Sequence, residues 1–69
     1  MGAVKWTDAE EIGWRLYEAD PDQDPLTVRF SDLRERVLSL EEFDDDPAAG
    51  SEGSLEAIQM AWLDCFQQQ

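Results

Sequence analysis

Three segments with apolar residues at helical spacing, separated by acidic loops that contain proline or glycine, constrain the fold of this chain more than any other feature. Apolar residues that recur every three or four positions are typical of amphipathic helices. The positions that share one face are Ala9, Ile12, Leu16 and Ala19 in the first segment, Leu33, Val37 and Leu40 in the second, and Leu55, Ile58, Trp62 and Cys65 in the third. The sequence therefore predicts a mainly α fold, a small three-helix domain around one aromatic core.

Residues that commonly begin or end helices flank these segments. Thr7 with Glu10 three positions later forms a capping-box pattern at the first helix, and Asp20-Pro21 ends it because a residue before proline avoids helical angles. Ser31 is the expected N-cap of the second helix. The third helix is expected to begin between Ser51 and Ser54.

The chain length allows a single domain, residues 1–69, with residues 66–69 as a frayed tail. A domain of this size has a thin core, and its large aromatic side chains are expected to fill much of it. Trp6, just before the first helix, is expected to pack onto the stripe that begins at Ala9. Residues 27–30 include two β-branched residues and one aromatic residue, and they are expected to form an extended piece or a single turn. Helix-turn-helix and winged-helix domains share this outline.

The charge is strongly one-sided, with 17 acidic and 5 basic residues and a net charge of −12. Such a surface repels nucleic acid and anionic membranes and attracts basic protein surfaces and cations. Arg29, Arg34 and Arg36 are too few to overcome that repulsion, so we interpret them as partners of Asp32, Glu35 and the acidic loops. No nucleic-acid or membrane partner is expected.

The first acidic loop resembles the opening of a calcium-binding EF-hand, because Asp20, Asp22 and Asp24 alternate with other residues. The sixth position of an EF-hand loop needs glycine and the twelfth a bidentate glutamate, whereas this chain has Pro25 and Ser31. The EF-hand interpretation therefore fails. Two alternatives remain open: a loosely held hard cation, or a solvated acidic loop.

The second acidic loop contains the run Asp44-Asp45-Asp46 and leaves a similar choice. The run either binds a cation or a partner, or it is a structural loop. In the structural interpretation, Phe43 anchors the loop to the core and Asp46-Pro47 forms a turn.

Catalysis has little support in this sequence. The chain has no histidine, and its single cysteine, Cys65, lies near the end of a predicted helix beside Asp64, where a thiolate is disfavoured. Cys65 is therefore expected to be a core or boundary residue, and the protein is not expected to be an enzyme. A single cysteine and the lack of an apolar segment of membrane-spanning length favour a reducing, cytoplasmic location.

Several segments, taken in order, together resemble one known family. They are Lys5-Trp6-Thr7-Asp8, Glu11-Ile12-Gly13, Pro21-Asp22, Asp24-Pro25, Val28-Arg29-Phe30 with Asp32, Phe43-Asp44-Asp45-Asp46-Pro47, Leu55-Glu56-Ala57-Ile58 and Trp62-Leu63-Asp64. From about residue 4 to residue 64, the chain is similar to the IscX (YfhJ) family of small acidic proteins from the bacterial iron–sulfur cluster assembly system.

The resemblance implies a modified winged-helix fold and an adaptor or regulator role in cluster assembly. It also implies docking on a basic surface of the cysteine desulfurase IscS, which bacterial frataxin also uses, and weak Fe²⁺ binding with no tightly bound cofactor. The protein is expected to be a monomer. The matching acidic residues are the candidate partner-binding residues Asp8, Glu11, Asp22, Asp24, Asp32, Asp44, Asp45, Asp46 and Asp64. Candidate ligands for weakly bound iron are Asp22, Asp24, Asp44, Asp45 and Asp46.

The chain departs from the family pattern at two places. Arg34 stands where a histidine is common, and the chain ends in Cys65-Phe66 and glutamines where acidic residues are common. The alternative function is a generic acidic interaction module or nucleic-acid mimic that occupies some other basic protein surface and has no role with iron.

Overall fold

The computed structural model describes residues 4–68 and contains three α-helices: α1 (Ala9–Ala19), α2 (Phe30–Leu38) and α3 (Glu52–Gln67). Two short 3-10 helices, Pro25–Thr27 and Pro47–Ala49, lie in the connections. Residues 4–68 contain no β-strand, only an isolated parallel bridge between Val4 and Phe43. The predicted mainly helical class is confirmed, whereas the winged-helix type stays a prediction.

Helix α3 is the centre of the core, and α1 packs most extensively against it. Ile58 and Trp62 of α3 are fully buried, as is Ile12 of α1. Gly13 allows the two helices to touch, because a β carbon at this position would lie 2.7 Å from the backbone nitrogen of Trp62. Apart from Ala19 and Cys65, the residues of the apolar stripes that predicted the helices lie in the core or pack against it. Ala19 is exposed because it is the last residue of α1, where the chain leaves the bundle.

The first helix begins one residue later than its sequence pattern predicts. Asp8, not Thr7, is the N-cap, and its side chain makes no capping bond. The Asp8 carboxylate instead accepts a hydrogen bond of 2.9 Å from the backbone N–H of Lys5. The predicted capping box of Thr7 and Glu10 is therefore wrong, because the turn over residues 5–8 closes before the helix starts.

The second helix begins before Ser31, which lies inside its first turn. Arg29 is the N-cap residue in extended conformation, and no side chain caps this end. The predicted Ser31 cap is wrong because the chain already turns into the helix at Phe30. The single turn expected near residues 27–30 lies slightly earlier, in the 3-10 helix Pro25–Thr27, and Val28 is extended.

The third helix confirms the predicted start. The Ser51 hydroxyl accepts a hydrogen bond of 3.2 Å from the Ser54 N–H and is the N-cap. Cys65 is half-buried, as expected for a boundary residue. The helix continues through Gln67, so it includes part of the predicted frayed tail, and Gln69 lies outside the described residues. Within residues 4–68, none of the helices combines the length and apolar character needed to cross a bilayer.

Candidate docking surface

The acidic loop, residues 41–47, is fixed to the N-terminal segment by hydrogen bonds. The Val4 N–H donates to the Glu42 carbonyl, and the Asp44 N–H donates to the Val4 carbonyl, each at 2.9 Å. The Lys5 ammonium adds a bond of 2.7 Å to the Asp44 carbonyl. The acidic loop therefore presents its carboxylates from a defined backbone.

Trp6 lies beneath the acidic loop and holds it to the core. Its indole N–H donates to the Asp46 carbonyl at 2.8 Å, and its backbone N–H donates to the Asp45 carboxylate at 3.1 Å. Its ring meets Phe43 edge-on, with centroids 4.9 Å apart. Gly50 passes so close that a β carbon there would lie 2.7 Å from a ring atom of Trp6. The predicted anchoring of the acidic loop by Phe43 is confirmed, and Phe43 makes this contact with the ring of Trp6.

Asp45 serves the loop's own structure. One carboxylate oxygen accepts from the Trp6 N–H and the other from the Asp46 N–H, the latter at 2.7 Å. The hydrogen bond from Trp6, followed by that from Asp46 and the nearby charge of Lys5, lowers the pKa of Asp45 below its ordinary value. The carboxylate is thus ionised at neutral pH and bound on both oxygens.

Two of the three Asp-Pro pairs, Asp24-Pro25 and Asp46-Pro47, form the same kind of turn. Asp24 and Asp46 are N-caps of the 3-10 helices, and each is followed by proline at the first helical position. Their carboxylates accept from Leu26 N–H at 3.0 Å and Ala48 N–H at 2.9 Å. The predicted turn at Asp46-Pro47 is confirmed.

The predicted partner-binding residues divide into two groups. The first group has carboxylates engaged within the fold, either with backbone N–H groups or, for Glu11, with an arginine: Asp8, Glu11, Asp24, Asp45 and Asp46. Within residues 4–68, the second group makes no side-chain hydrogen bond or ion pair, and its members are Asp22, Asp32, Asp44 and Asp64. All four members of the second group are exposed.

Arg15 connects α1 to the acidic loop. Its guanidinium lies 2.9 Å from the Glu11 carboxylate one turn earlier and 3.4 Å from the Glu42 carboxylate in the loop. Glu18 and Glu41 line the same shallow depression as Arg15 and Glu42. The acidic surface therefore continues from the loop onto α1.

Two arginines of α2 bind the loops on either side of that helix. Arg34 donates to the Pro47 carbonyl, and its guanidinium lies 6.0 Å from the centre of the Trp6 ring. Arg36 lies 3.6 Å from the Asp20 carboxylate. The predicted pairing of arginines with acidic loops is confirmed for Arg36, whereas Arg34 contacts a backbone oxygen.

The predicted arginine partners Asp32 and Glu35 are wrong. Neither makes an ion pair in the described part of the chain. Glu35 is adjacent to Arg34 and Arg36, and adjacent residues of a helix point in different directions. Asp32 is four residues before Arg36, but Arg36 pairs with Asp20 of the first acidic loop instead. Arg29 is exposed and also makes no ion pair among residues 4–68.

The candidate iron ligands do not converge on one point. No group of three or more acidic or cysteine side chains within residues 4–68 has the arrangement of a metal site. Asp20 faces Arg36, and Asp24 caps a 3-10 helix. These two aspartates of the first acidic loop therefore have different partners and do not point at a common ion. Weak iron binding stays a prediction, without a preformed cage to support it.

A family model described as iron-sulphur cluster assembly matches residues 4–67. The chain belongs to this family, the IscX (YfhJ) family. It is also 50% identical to an uncharacterized protein of Pseudomonas aeruginosa over 62 residues, which cover 90% of this chain and 94% of that protein. The predicted resemblance is confirmed.

In this IscX-family chain, sequence reasoning missed the residues that organise the acidic loop. The hydrogen bonds of Trp6 and Lys5 to the acidic loop join residues that are distant in sequence, and no local sequence pattern predicts them. The pair Glu11–Arg15 had a usable signal, because oppositely charged residues four apart commonly pair on a helix. The exposure of Trp14, at 46%, was also not anticipated.

Proposed function

We propose that this IscX-family chain is an acidic adaptor or regulator of iron–sulfur cluster assembly that docks on a basic surface of the cysteine desulfurase IscS. Bacterial frataxin would compete for the same surface. The role is that of a binding protein, not an enzyme. The proposed setting is the cytoplasm, with the chain acting as a monomer of the modified winged-helix type.

The observation that supports this proposal most is that basic side chains are engaged in contacts with other parts of the same chain. Lys5, Arg15, Arg34 and Arg36 all contact loop carbonyls or carboxylates. Many carboxylates in residues 4–68 consequently have no side-chain partner: Glu10, Glu18, Asp22, Asp32, Glu35, Glu41, Asp44, Glu52, Glu56 and Asp64. Their field attracts a basic protein surface and accelerates association at low salt.

Among the open carboxylates, the proposed contacts of IscS are those of the candidate partner-binding residues Asp22, Asp32, Asp44 and Asp64. Asp44 is the best placed, because its backbone is held at both N–H and carbonyl while its carboxylate faces solvent. Such a charge loses little conformational entropy on binding. Asp45 and Asp46 lie beside it, but we assign them mainly to the shape of the loop.

Single substitutions distinguish the open carboxylates from the engaged ones. Asp44→Asn should weaken IscS binding by about twofold to fivefold at low salt, as expected for one exposed charge. Glu56→Gln, which removes the same charge from the outer face of α3, is the matched control and should have a smaller effect. Calorimetry measures both, and an Asp44→Asn affinity equal to that of the unmodified protein removes this position from the interface.

Asp45→Asn should instead act through folding. A loss of IscS binding by this variant places Asp45 in the interface only if the circular dichroism and unfolding midpoint of the variant match those of the unmodified protein. Replacing Asp44, Asp45 and Asp46 together would mix the two effects, so the single variants are needed.

Fe²⁺ is the proposed cargo, held loosely by exposed carboxylates such as Asp22 and Asp44. The support is the density of hard oxygen ligands that suit this ion. Anaerobic titration with Fe²⁺ should broaden the amide resonances of residues 22–24 and 44–46 before those of α3. If these resonances are undisturbed, the iron proposal is wrong and the docking proposal is unaffected.

The alternative, a generic acidic interaction module or nucleic-acid mimic on some other basic protein surface, rests on the same charge. It predicts capture of assorted basic proteins from a cell extract, with no cysteine desulfurase among them. The family membership favours the adaptor.

A further inference from the structure

Trp14 is an exposed tryptophan on the outer face of α1. Its exposed fraction is 46%, whereas Trp6 and Trp62 are 3% and 0% exposed. The ring of Tyr17 lies beside it, with centroids 6.0 Å apart. A large aromatic surface in water is a typical component of a protein interface.

Two open carboxylates flank Trp14 on the same helix face. Glu10 precedes it by four residues and Glu18 follows it by four, which places one carboxylate a helical turn away on each side. Neither makes an ion pair or hydrogen bond within residues 4–68. The nearby Glu11 differs, because it is already paired with Arg15.

An aromatic ring between two free carboxylates fits a guanidinium or ammonium group. The ring face attracts the cation, and the carboxylates can bind its N–H groups. Arginine suits the arrangement best because its flat head stacks on tryptophan while its N–H groups remain available to the carboxylates.

We propose that Trp14, Glu10 and Glu18 form a site that receives an arginine side chain from a basic protein partner. Glu18 lines the same depression as Glu41 and Glu42 of the acidic loop, so the site adjoins the docking surface described above. The inference rests on the proposed function, since the same basic partner supplies the arginine. Trp14 would add a specific anchor to an otherwise long-range attraction.

The chain contains a matched control for this site. Met60 of α3 is 57% exposed and is flanked at the same spacing by Glu56 and Asp64. It therefore has the apolar surface and the two carboxylates but no aromatic ring.

Trp14→Ala should weaken binding to IscS about tenfold, as expected for a tryptophan anchor. Trp14→Phe should recover part of the loss, and Met60→Ala should remain close to the unmodified protein. Binding should also protect the fluorescence of Trp14 from acrylamide, which reaches the two buried tryptophans poorly. Far-UV circular dichroism checks that each variant folds.

A short polyarginine peptide provides a second probe that does not depend on the identity of the partner. If Trp14→Ala binds the peptide more weakly than Met60→Ala does, the arginine site is supported. This holds even if IscS does not bind the unmodified protein, a result that would contradict only the proposed function. If IscS binds the unmodified protein and Trp14→Ala equally well, the arginine site is wrong and the proposed function stands. Equal losses of binding affinity for Trp14→Ala and Met60→Ala would also overturn the arginine site, because the tryptophan ring would then have no special role.

Discussion

Replacing Gly13 by alanine tests the close approach of α1 to α3. A β carbon at position 13 would lie 2.7 Å from the Trp62 nitrogen and 2.8 Å from the Ala61 β carbon. Ordinary contact starts at 3.4 Å, so α1 and α3 would have to separate by about 0.7 Å. The atoms in the way include the backbone of α3, which cannot rotate aside as a flexible side chain can.

Two effects oppose each other in Gly13→Ala. Alanine favours the helix by about 1 kcal/mol relative to glycine. Overpacking a tight interface costs about 1–3 kcal/mol, and contact with backbone atoms favours the upper part of that range. We therefore expect a net loss of about 1–2 kcal/mol in the free energy of unfolding, which lowers the midpoint temperature by about 4–8 °C per kcal/mol in a domain of this size.

Gly53→Ala is the matched control for this prediction. Among the residues that the structure describes, a β carbon at position 53, in the first turn of α3, would meet only the Ser51 hydroxyl, at 3.8 Å. The same substitution should therefore leave stability unchanged or raise it by up to about 1 kcal/mol. Urea unfolding followed by far-UV circular dichroism measures both variants. If Gly13→Ala is as stable as Gly53→Ala, the close approach of α1 to α3 is not as described.

Three further predictions concern the loop contacts of Trp6. Trp6→Phe removes the indole donor to the Asp46 carbonyl and should cost at least about 1 kcal/mol in urea unfolding, whereas an unchanged midpoint would show that this bond contributes nothing. Gly50→Ala should push the Trp6 ring aside and change its near-UV circular dichroism, with a loss of about 1 kcal/mol, and an unaltered spectrum would contradict the contact. Asp45 has a lowered pKa in the folded state, so its contribution to stability is complete above its ordinary value of 3.8 and is lost as pH falls through the lower folded value. Asp45→Asn should therefore be less stable at neutral pH and lose less stability on acidification, and parallel pH profiles for the two proteins would count against this role.

The helices were predictable because their signals are local. The apolar spacing of α3 and its expected start between Ser51 and Ser54 both depend on residues close together in sequence, and the structure confirms both. The caps of α1 and α2 were not predictable, since a backbone turn over residues 5–8 uses Asp8, and Phe30 already enters the helix before Ser31. Local patterns offer several possible caps, and the packing of the whole chain selects among them.

The candidate site was predictable in charge but not in arrangement. Composition revealed the excess of carboxylates, and Asp46-Pro47 revealed a turn. It could not show that Asp45 is bound on both oxygens while Asp44 is open, because that difference depends on Trp6 and Lys5 from the other end of the chain. Contacts between residues that are distant in sequence leave no repeating pattern of residue types, so the sequence alone does not reveal them.

The proposed docking of the acidic surface on a basic surface of a cysteine desulfurase can be tested by calorimetric titration of IscS at two ionic strengths. At ionic strengths of about 0.01 M and about 0.15 M the screening length is about 30 Å and about 8 Å. We expect tighter binding at the lower salt and displacement of the protein by bacterial frataxin. An affinity that does not change with salt, or simultaneous binding of both proteins without competition, would contradict it.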